Sequence, residues 1–207
     1  MVEEKRNFYR IRPYPGKHDQ FDYFNQHNLI ALGWSKIGDV HNLDRSQIID
    51  RLQFEYASTY KNKTRASGLT AGYFLKLMSM EAGDVVLIPY DNQIVKLVEV
   101  TSPYQFVPEL VVQDMAHVVS TKTITQLFSK ELATDLLAAV NSRVTLISLN
   151  KYKLQILELF NHVPWIINKD DFVHYSGTTA GKSVSLGVTK NVKKKELHDF
   201  IDSLDME

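Results

Sequence analysis

Between Asp84 and Ser120 three strand-like runs follow one another with no helical segment between them, which sharply limits the available architectures. The runs are Asp84–Tyr90, Gln93–Thr101 and Met115–Ser120, each rich in valine, isoleucine or alternating apolar residues. Asp91-Asn92 separates the first two as a hairpin turn, and Pro89 marks an edge or a strand end. Upstream, Asp44 is placed to cap an amphipathic helix from Arg45 to about Tyr60, with Ile48, Ile49, Leu52 and Tyr56 at helical spacing. A basic link, Lys61 to Arg65, leads to a second helix from about Ser67 to Met80, with Leu69, Tyr73, Leu77 and Met80 on one side. Strands, then helices, then strands without regular βαβ alternation predict an α+β fold built on a mostly antiparallel curved sheet.

The flanks extend this pattern. Asn7 to Arg12 alternates apolar and basic residues and predicts a half-buried strand ended by Pro13 and Pro15-Gly16. Asp19–Asn28 predicts a short helix, and Leu29–Trp34 a buried strand. After Ser120 come a helix over 129–140, a strand over 145–149 and a helix over 151–160. Past Pro164 the texture changes to a hairpin, 171–175 with 183–189, and a helix over about 194–204.

Composition narrows the function classes. With 44% hydrophobic and 23% charged residues a packed core is expected. The absence of cysteine excludes disulfides, thiolate zinc sites and a cysteine nucleophile, and suits a reducing cytoplasm. The polar N-terminus carries no signal-peptide pattern, and no run of about 18 apolar residues predicts a membrane span, so a cytoplasmic protein is expected. A formal net charge of +0 argues against nucleic-acid affinity driven by bulk positive charge. Basic residues nonetheless cluster in two acid-free stretches, Lys5, Arg6, Arg10, Arg12 and Lys17, and Lys61, Lys63, Arg65 and Lys76, while acids crowd the C-terminus.

No motif supplies catalytic machinery. Gly177-Thr178-Thr179-Ala180-Gly181-Lys182-Ser183 has one residue too few for a phosphate loop and precedes a strand rather than a helix, so it reads as a hairpin loop. The seven histidines lack metal-ligand spacing. Asp170, Asp171 and Glu196 lack the Glu-x-Lys strand of a nuclease centre, and there is no Gly-x-Ser-x-Gly elbow. Neither metal nor cofactor is expected.

Two segments carry a resemblance. One runs Leu77-Met78-Ser79-Met80-Glu81-Ala82-Gly83-Asp84-Val85-Val86-Leu87-Ile88-Pro89 and returns as Ile94–Val100; the other is Ala31-Leu32-Gly33-Trp34-Ser35-Lys36-Ile37-Gly38-Asp39. In this order they resemble the PUA-like superfamily, in particular EVE-type domains and their YTH relatives, with modules of modification-dependent restriction systems the nearest in look. The likeness covers roughly Phe8 to Val119. It implies a small β-barrel or curved sheet flanked by helices, over 1–125, followed by a helix–strand–helix extension over 126–163 and a C-terminal hairpin and helix over 164–207.

The resemblance also implies DNA or RNA as partner, with one flipped and often modified base held beside the sheet. Carried over, Trp34 lines the pocket with Ser35 and Lys36 beside it. Tyr104 and Phe106 form a rim, and Arg10, Arg12 and Arg65 meet phosphates. A nuclease or ATPase partner would then do the cutting in a defence system. The chain departs from the family at Pro89-Tyr90, where an aromatic, His and Ser cluster is usual, and at Lys96, where Gly is usual. Both weaken unchanged base recognition, and the Lys96 departure together with the neutral net charge favours the rival expectation, a protein-interaction or homo-oligomeric assembly module without a base site. A divergent enzyme with scattered site residues is the third.

Overall fold

The computed structural model describes residues 6–90, 93–161 and the strands 172–179 and 182–189. The chain divides into two compact units, Met1–Asn161 and His162–Glu207. In the first unit the elements are β1 (Phe8–Ile11), α1 (Phe21–His27), β2 (Leu29–Leu32), α2 (Arg45–Glu55), α3 (Ala57–Tyr60) and α4 (Thr64–Met78). They continue as β3 (Val85–Tyr90), β4 (Ile94–Val100), β5 (Gln105–Phe106), β6 (His117–Phe128), α5 (Thr134–Val140), β7 (Leu146–Ser148) and α6 (Lys153–Asn161). In the second unit β8 (Phe172–Thr179) and β9 (Lys182–Thr189) form an antiparallel hairpin. Gly177 to Thr179 lie in β8, and Lys182 and Ser183 in β9, so these ends of the glycine-threonine segment are strand and not the start of a helix. The expected helix over 194–204 lies outside the described residues.

The first unit is α+β, a curled mixed sheet flanked by helices. Its strand order is β2-β6-β4-β3-β1-β7, with β5 also on β6. Among the described residues of this unit only β1 and β3 pair in parallel; the other pairings are antiparallel. The curl comes from β6. Residues 117–120 pair with β2, residues 121–128 with β4, and one extra residue, Ile124, interrupts the register opposite Leu97 and Val98. A bulge of this kind bends and twists its strand. The strand expected to end at Ser120 continues to Phe128. Thr121, Thr123, Ile124 and Thr125 are β-branched and suit a pleated surface, although three of the four are polar. Pro89 is tolerated because β1 pairs only with Val85 to Leu87, leaving the proline's missing donor beyond the end of that neighbour.

β1 corrects a sequence expectation. Its apolar–basic alternation predicts one wet face, yet Phe8 to Ile11 are all buried. On one face Tyr9 and Ile11 join the core cluster, and on the other Arg10 is covered by the end of α5, so neither face is wet. Arg10 is therefore inside, 0% exposed. Its guanidinium donates to the carbonyls of Ala139 (3.3 Å), Ser142, Val144 and Thr145 (3.5 Å). These carbonyls end α5 and lead into β7, where the helix leaves acceptors without partners and the dipole is negative. Burial and the neighbouring charge of Arg12 push the Arg10 guanidinium down to about 10, with Tyr73 pulling the other way.

The helices follow their patterns more closely. Asp44 caps α2 by accepting from the Gln47 amide at 2.9 Å, and the Gln47 side chain accepts in return from the Asp44 amide at 2.9 Å. This capping box fixes where the helix starts. Ile48 and Leu52 are its buried contacts. The expected single helix to Tyr60 breaks at Tyr56, whose backbone leaves helical angles (φ −118°, ψ 44°) before α3 begins. α4 buries Ala71, Tyr73, Phe74 and Leu77, while Leu69, expected on that face, is 55% exposed. Lys96, the departure from the family pattern, is buried in β4 and donates to Asn25 Oδ1 of α1; burial pushes its ammonium down to about 8.

His117 at the start of β6 is fully buried against Phe74, Tyr104 and Phe106, with ring centroids 4.8, 6.0 and 5.2 Å away. Its Nδ1 shares a 2.9 Å hydrogen bond with the Tyr104 hydroxyl, and Nε2 faces the Trp34 backbone without reaching hydrogen-bond geometry. Burial pushes the imidazole down to about 4, against smaller upward pulls from the Trp34 backbone, Asp114 and Asp39. The unfolded chain therefore takes up this proton first. The stabilisation is complete above the ordinary histidine value and disappears as pH falls from about 6.5 towards 4, amounting to about 3 kcal/mol. Urea melts at pH 7.5 and 4.5 are expected to show that loss. His117→Gln is expected to lower stability at pH 7.5 but to flatten its fall on acidification; an unaltered pH dependence in the variant contradicts the assignment.

Candidate nucleic-acid interface

Three loops distant in sequence close on one another. The first follows β1 and holds the turn Pro15–Lys17, with Gly16 and Lys17 at positive φ (59° and 69°). The second follows β2 and holds Gly33 and Trp34. The third precedes β6 and ends in a tight turn, where the Asp114 amide donates to the Val111 carbonyl at 3.0 Å. Gly33 is required by close approach. A Cβ there would lie 2.9 Å from the Gly16 nitrogen and 3.0 Å from Asp114 Oδ2.

Asp114 ties the loops together. Its Oδ1 accepts from the Ser35 amide at 2.7 Å and from the Tyr56 hydroxyl at 3.4 Å. The same hydroxyl accepts from the Lys36 amide at 3.3 Å, and the Ala116 amide donates to Ser35 Oγ at 3.0 Å. Burial pushes the Tyr56 hydroxyl up to about 12, so at neutral pH it donates to the carboxylate as a neutral phenol. The break between α2 and α3 aims Tyr56 at this point.

Trp34 sits in the left-handed region, φ 62° and ψ 36°. For a bulky L-residue that backbone is unfavourable by about 1–2 kcal/mol. Lys17, Trp34 and Asp114 are three of the five non-glycine residues with positive φ among the described residues. Such conformations persist only where surrounding structure enforces them, and they gather at ligand sites. The indole leans on Phe74 edge-on at 6.0 Å and on Tyr73 at 6.2 Å, and remains partly exposed.

What the clamp leaves open is a recess of about 490 Å³, lined by Arg12, Tyr14, Lys17, Trp34, Tyr56, Tyr60 and Asp114 among others. Arg12 lies 4.9 Å over the Tyr14 ring and donates to the Arg143 carbonyl at 3.3 Å. The ion pairs found among the described residues, Arg6–Glu99 and Lys122–Glu99, involve neither Arg12 nor Lys17. The recess therefore combines aromatic faces, one carboxylate and two cations with no carboxylate partner within 4 Å among the described residues. Among the described residues no group of three or more His, Asp or Glu side chains converges as a metal site, and no helix is long and apolar enough to cross a membrane.

The structure brings two of the sequence-derived candidates, Arg12 and Trp34, into this recess and distributes the others elsewhere. Arg10 is in the core, held by carbonyls and out of reach of a phosphate. Ser35 is 3% exposed and braces the loop, while Lys36 is exposed and contributes its backbone amide to the brace. Arg65 lies at a separate depression with Arg45 and Leu69. Tyr104 is 5% exposed and not on a rim; its hydroxyl is held by His117 Nδ1, Asp39 Oδ1 (3.3 Å) and the Val40 amide (3.4 Å). Phe106 packs beside His117. Sequence reasoning misses Tyr14, Lys17, Tyr56, Tyr60 and Asp114 as lining residues. Pro15-Gly16 marks the turn that positions Tyr14 and Lys17, but Tyr56 follows a core helical pattern and nothing local marks Asp114.

Among solved structures the chain is similar to the YTH domain of the Zygosaccharomyces rouxii MRB1 protein, solved in complex with N6-methyladenosine RNA. The TM-score is 0.42 at 11% sequence identity, covering 81% of this chain and 95% of that one. No curated protein matches the chain in sequence. The sequence model of DUF8426, described as a domain of unknown function, matches residues 10–138, a span that holds Arg12, Trp34 and Asp114. With more than half its length matched, the chain belongs to the DUF8426 family.

Proposed function

We propose that this protein binds nucleic acid by taking one unstacked base into the Trp34 recess. The observation that carries the reading is an indole, held in an unfavourable backbone conformation, lining an open cavity together with Arg12 and Lys17. About 490 Å³ falls within the range of small-ligand sites, roughly 300–1,000 Å³. A base outside its stack regains about 1–3 kcal/mol on an aromatic face. Arg12 and Lys17 then suit the adjoining phosphates, and the zero net charge means that this local pair, rather than the whole surface, supplies the electrostatic attraction. A modified base as preferred ligand, and a separate nuclease or ATPase that acts on what is bound, complete the proposal.

Fluorescence anisotropy with labelled single- and double-stranded oligonucleotides, with and without methylated bases, tests it at low salt. Trp34→Ala is expected to weaken binding about tenfold or more while the far-UV spectrum stays unchanged. Arg12→Ala is expected to reduce the slope of log affinity against log salt by about one. Absence of binding to any oligonucleotide, or full affinity in Trp34→Ala, contradicts the proposal.

A further inference from the structure

The third loop carries an apolar tip in full solvent beside the recess. In the turn Val111–Asp114, closed by the Asp114 amide on the Val111 carbonyl at 3.0 Å, the two central positions are Val112 and Gln113. Exposed turn positions most often hold Gly, Pro, Asn, Asp or Ser. Val112 is 94% exposed, the highest value among the exposed large apolar side chains described. The turn is pinned to the recess. Asp114 lines it, and a Cβ on Gly16, itself a lining residue, would come within 3.2 Å of the Gln113 carbonyl.

An apolar tip two residues from the wall of a base-sized recess has a physical counterpart in nucleic-acid chemistry. Proteins that extract a base from a duplex leave a gap in the stack, and an apolar side chain inserted there offsets lost stacking. We infer that Val112 is a wedge that enters the base stack of double-stranded nucleic acid while the extracted base occupies the Trp34 recess. Gln113, beside it and exposed, carries the donor and acceptor needed to meet the partner base left behind. The inference rests on the recess reading and adds to it the substrate class, a duplex rather than a single strand. Arg12 and Lys17 favour a polyanion over an apolar protein surface as the occupant of this face.

The test uses the full chain and two labelled probes, a duplex with one mismatched pair and its single strand alone. V112N keeps a turn-forming residue and V112L keeps an apolar tip. V112N is expected to lose about tenfold on the duplex, with single-strand affinity changed less than about twofold, and V112L is expected to retain duplex binding. Fluorescence of 2-aminopurine at the mismatch is expected to rise with wild type and V112L and to stay low with V112N. Equal affinity of V112N and wild type for the duplex, or equal losses on both probes, overturns the wedge while leaving the recess standing. Failure of the wild-type chain to bind either probe overturns both.

Discussion

Arg10→Met is expected to destabilise the first unit by about 2–5 kcal/mol, the largest single effect foreseen for this chain. The side chain it replaces is fully buried and donates to four carbonyls, those of Ala139, Ser142, Val144 and Thr145. Methionine fills a similar volume but offers no donor; the Ala139 and Thr145 carbonyls keep the Ser142 and Arg12 amides (3.2 and 2.9 Å), whereas the Ser142 and Val144 carbonyls lose the guanidinium that meets them. Each such group is unfavourable by about 1–3 kcal/mol. Lysine does not replace the arginine, because a single ammonium cannot span the acceptors that a planar fork reaches. Arg10→Lys is accordingly expected to recover only part of the loss. Urea unfolding followed by circular dichroism checks both variants. A stable Arg10→Met chain with weakened nucleic-acid binding would show that the residue belongs to the interface and not to the core.

Gly33→Ala is expected to cost about 2–3 kcal/mol and to lower oligonucleotide affinity as well. The added methyl would lie 2.9 Å from the Gly16 nitrogen and 3.2 Å from the Asp114 carbonyl, both backbone atoms that cannot swing aside. The loops must therefore part, and Trp34, the next residue, moves with them. Gly83 serves as the contrasting position for space alone. A Cβ there meets nothing within 4 Å, although its φ of 95° still disfavours a side chain. Gly83→Ala is thus expected to lower stability without touching the recess. If Gly33→Ala leaves both the urea midpoint and the affinity unchanged, the three loops are not the tight clamp described.

The outline of the fold is legible in the sequence because its signals are local. Asp44 and Gln47 fix a helix start through two hydrogen bonds three residues apart. The hairpin strands β3 and β4 follow from apolar runs on either side of a turn. Arg10 reads wrongly because alternation reports a wet face only where nothing packs on that face, and the end of α5 packs on this one. Tyr104 misleads for a related reason. A loop tyrosine looks exposed until His117 and Asp39, distant in sequence, are brought to its hydroxyl.

The recess itself escapes local reading because its walls come from positions 12–17, 31–34, 56–60, 114 and 145, which no periodicity connects. Trp34 stands out through its Gly-Trp context. Its supporting carboxylate, Asp114, does not, since a lone aspartate before a strand carries no signal until the Ser35 amide and the Tyr56 hydroxyl converge on it.

The most direct measurement makes Trp34 report on itself. The chain has two tryptophans, Trp34 and Trp165, so a Trp165→Phe chain emits from the recess alone. Titrating it with oligonucleotide at low salt is predicted to quench that emission saturably, and to shield the indole from acrylamide at the concentrations where anisotropy shows binding. Binding that leaves the Trp34 emission and its acrylamide sensitivity unchanged would contradict the account, because the base would then be held somewhere else.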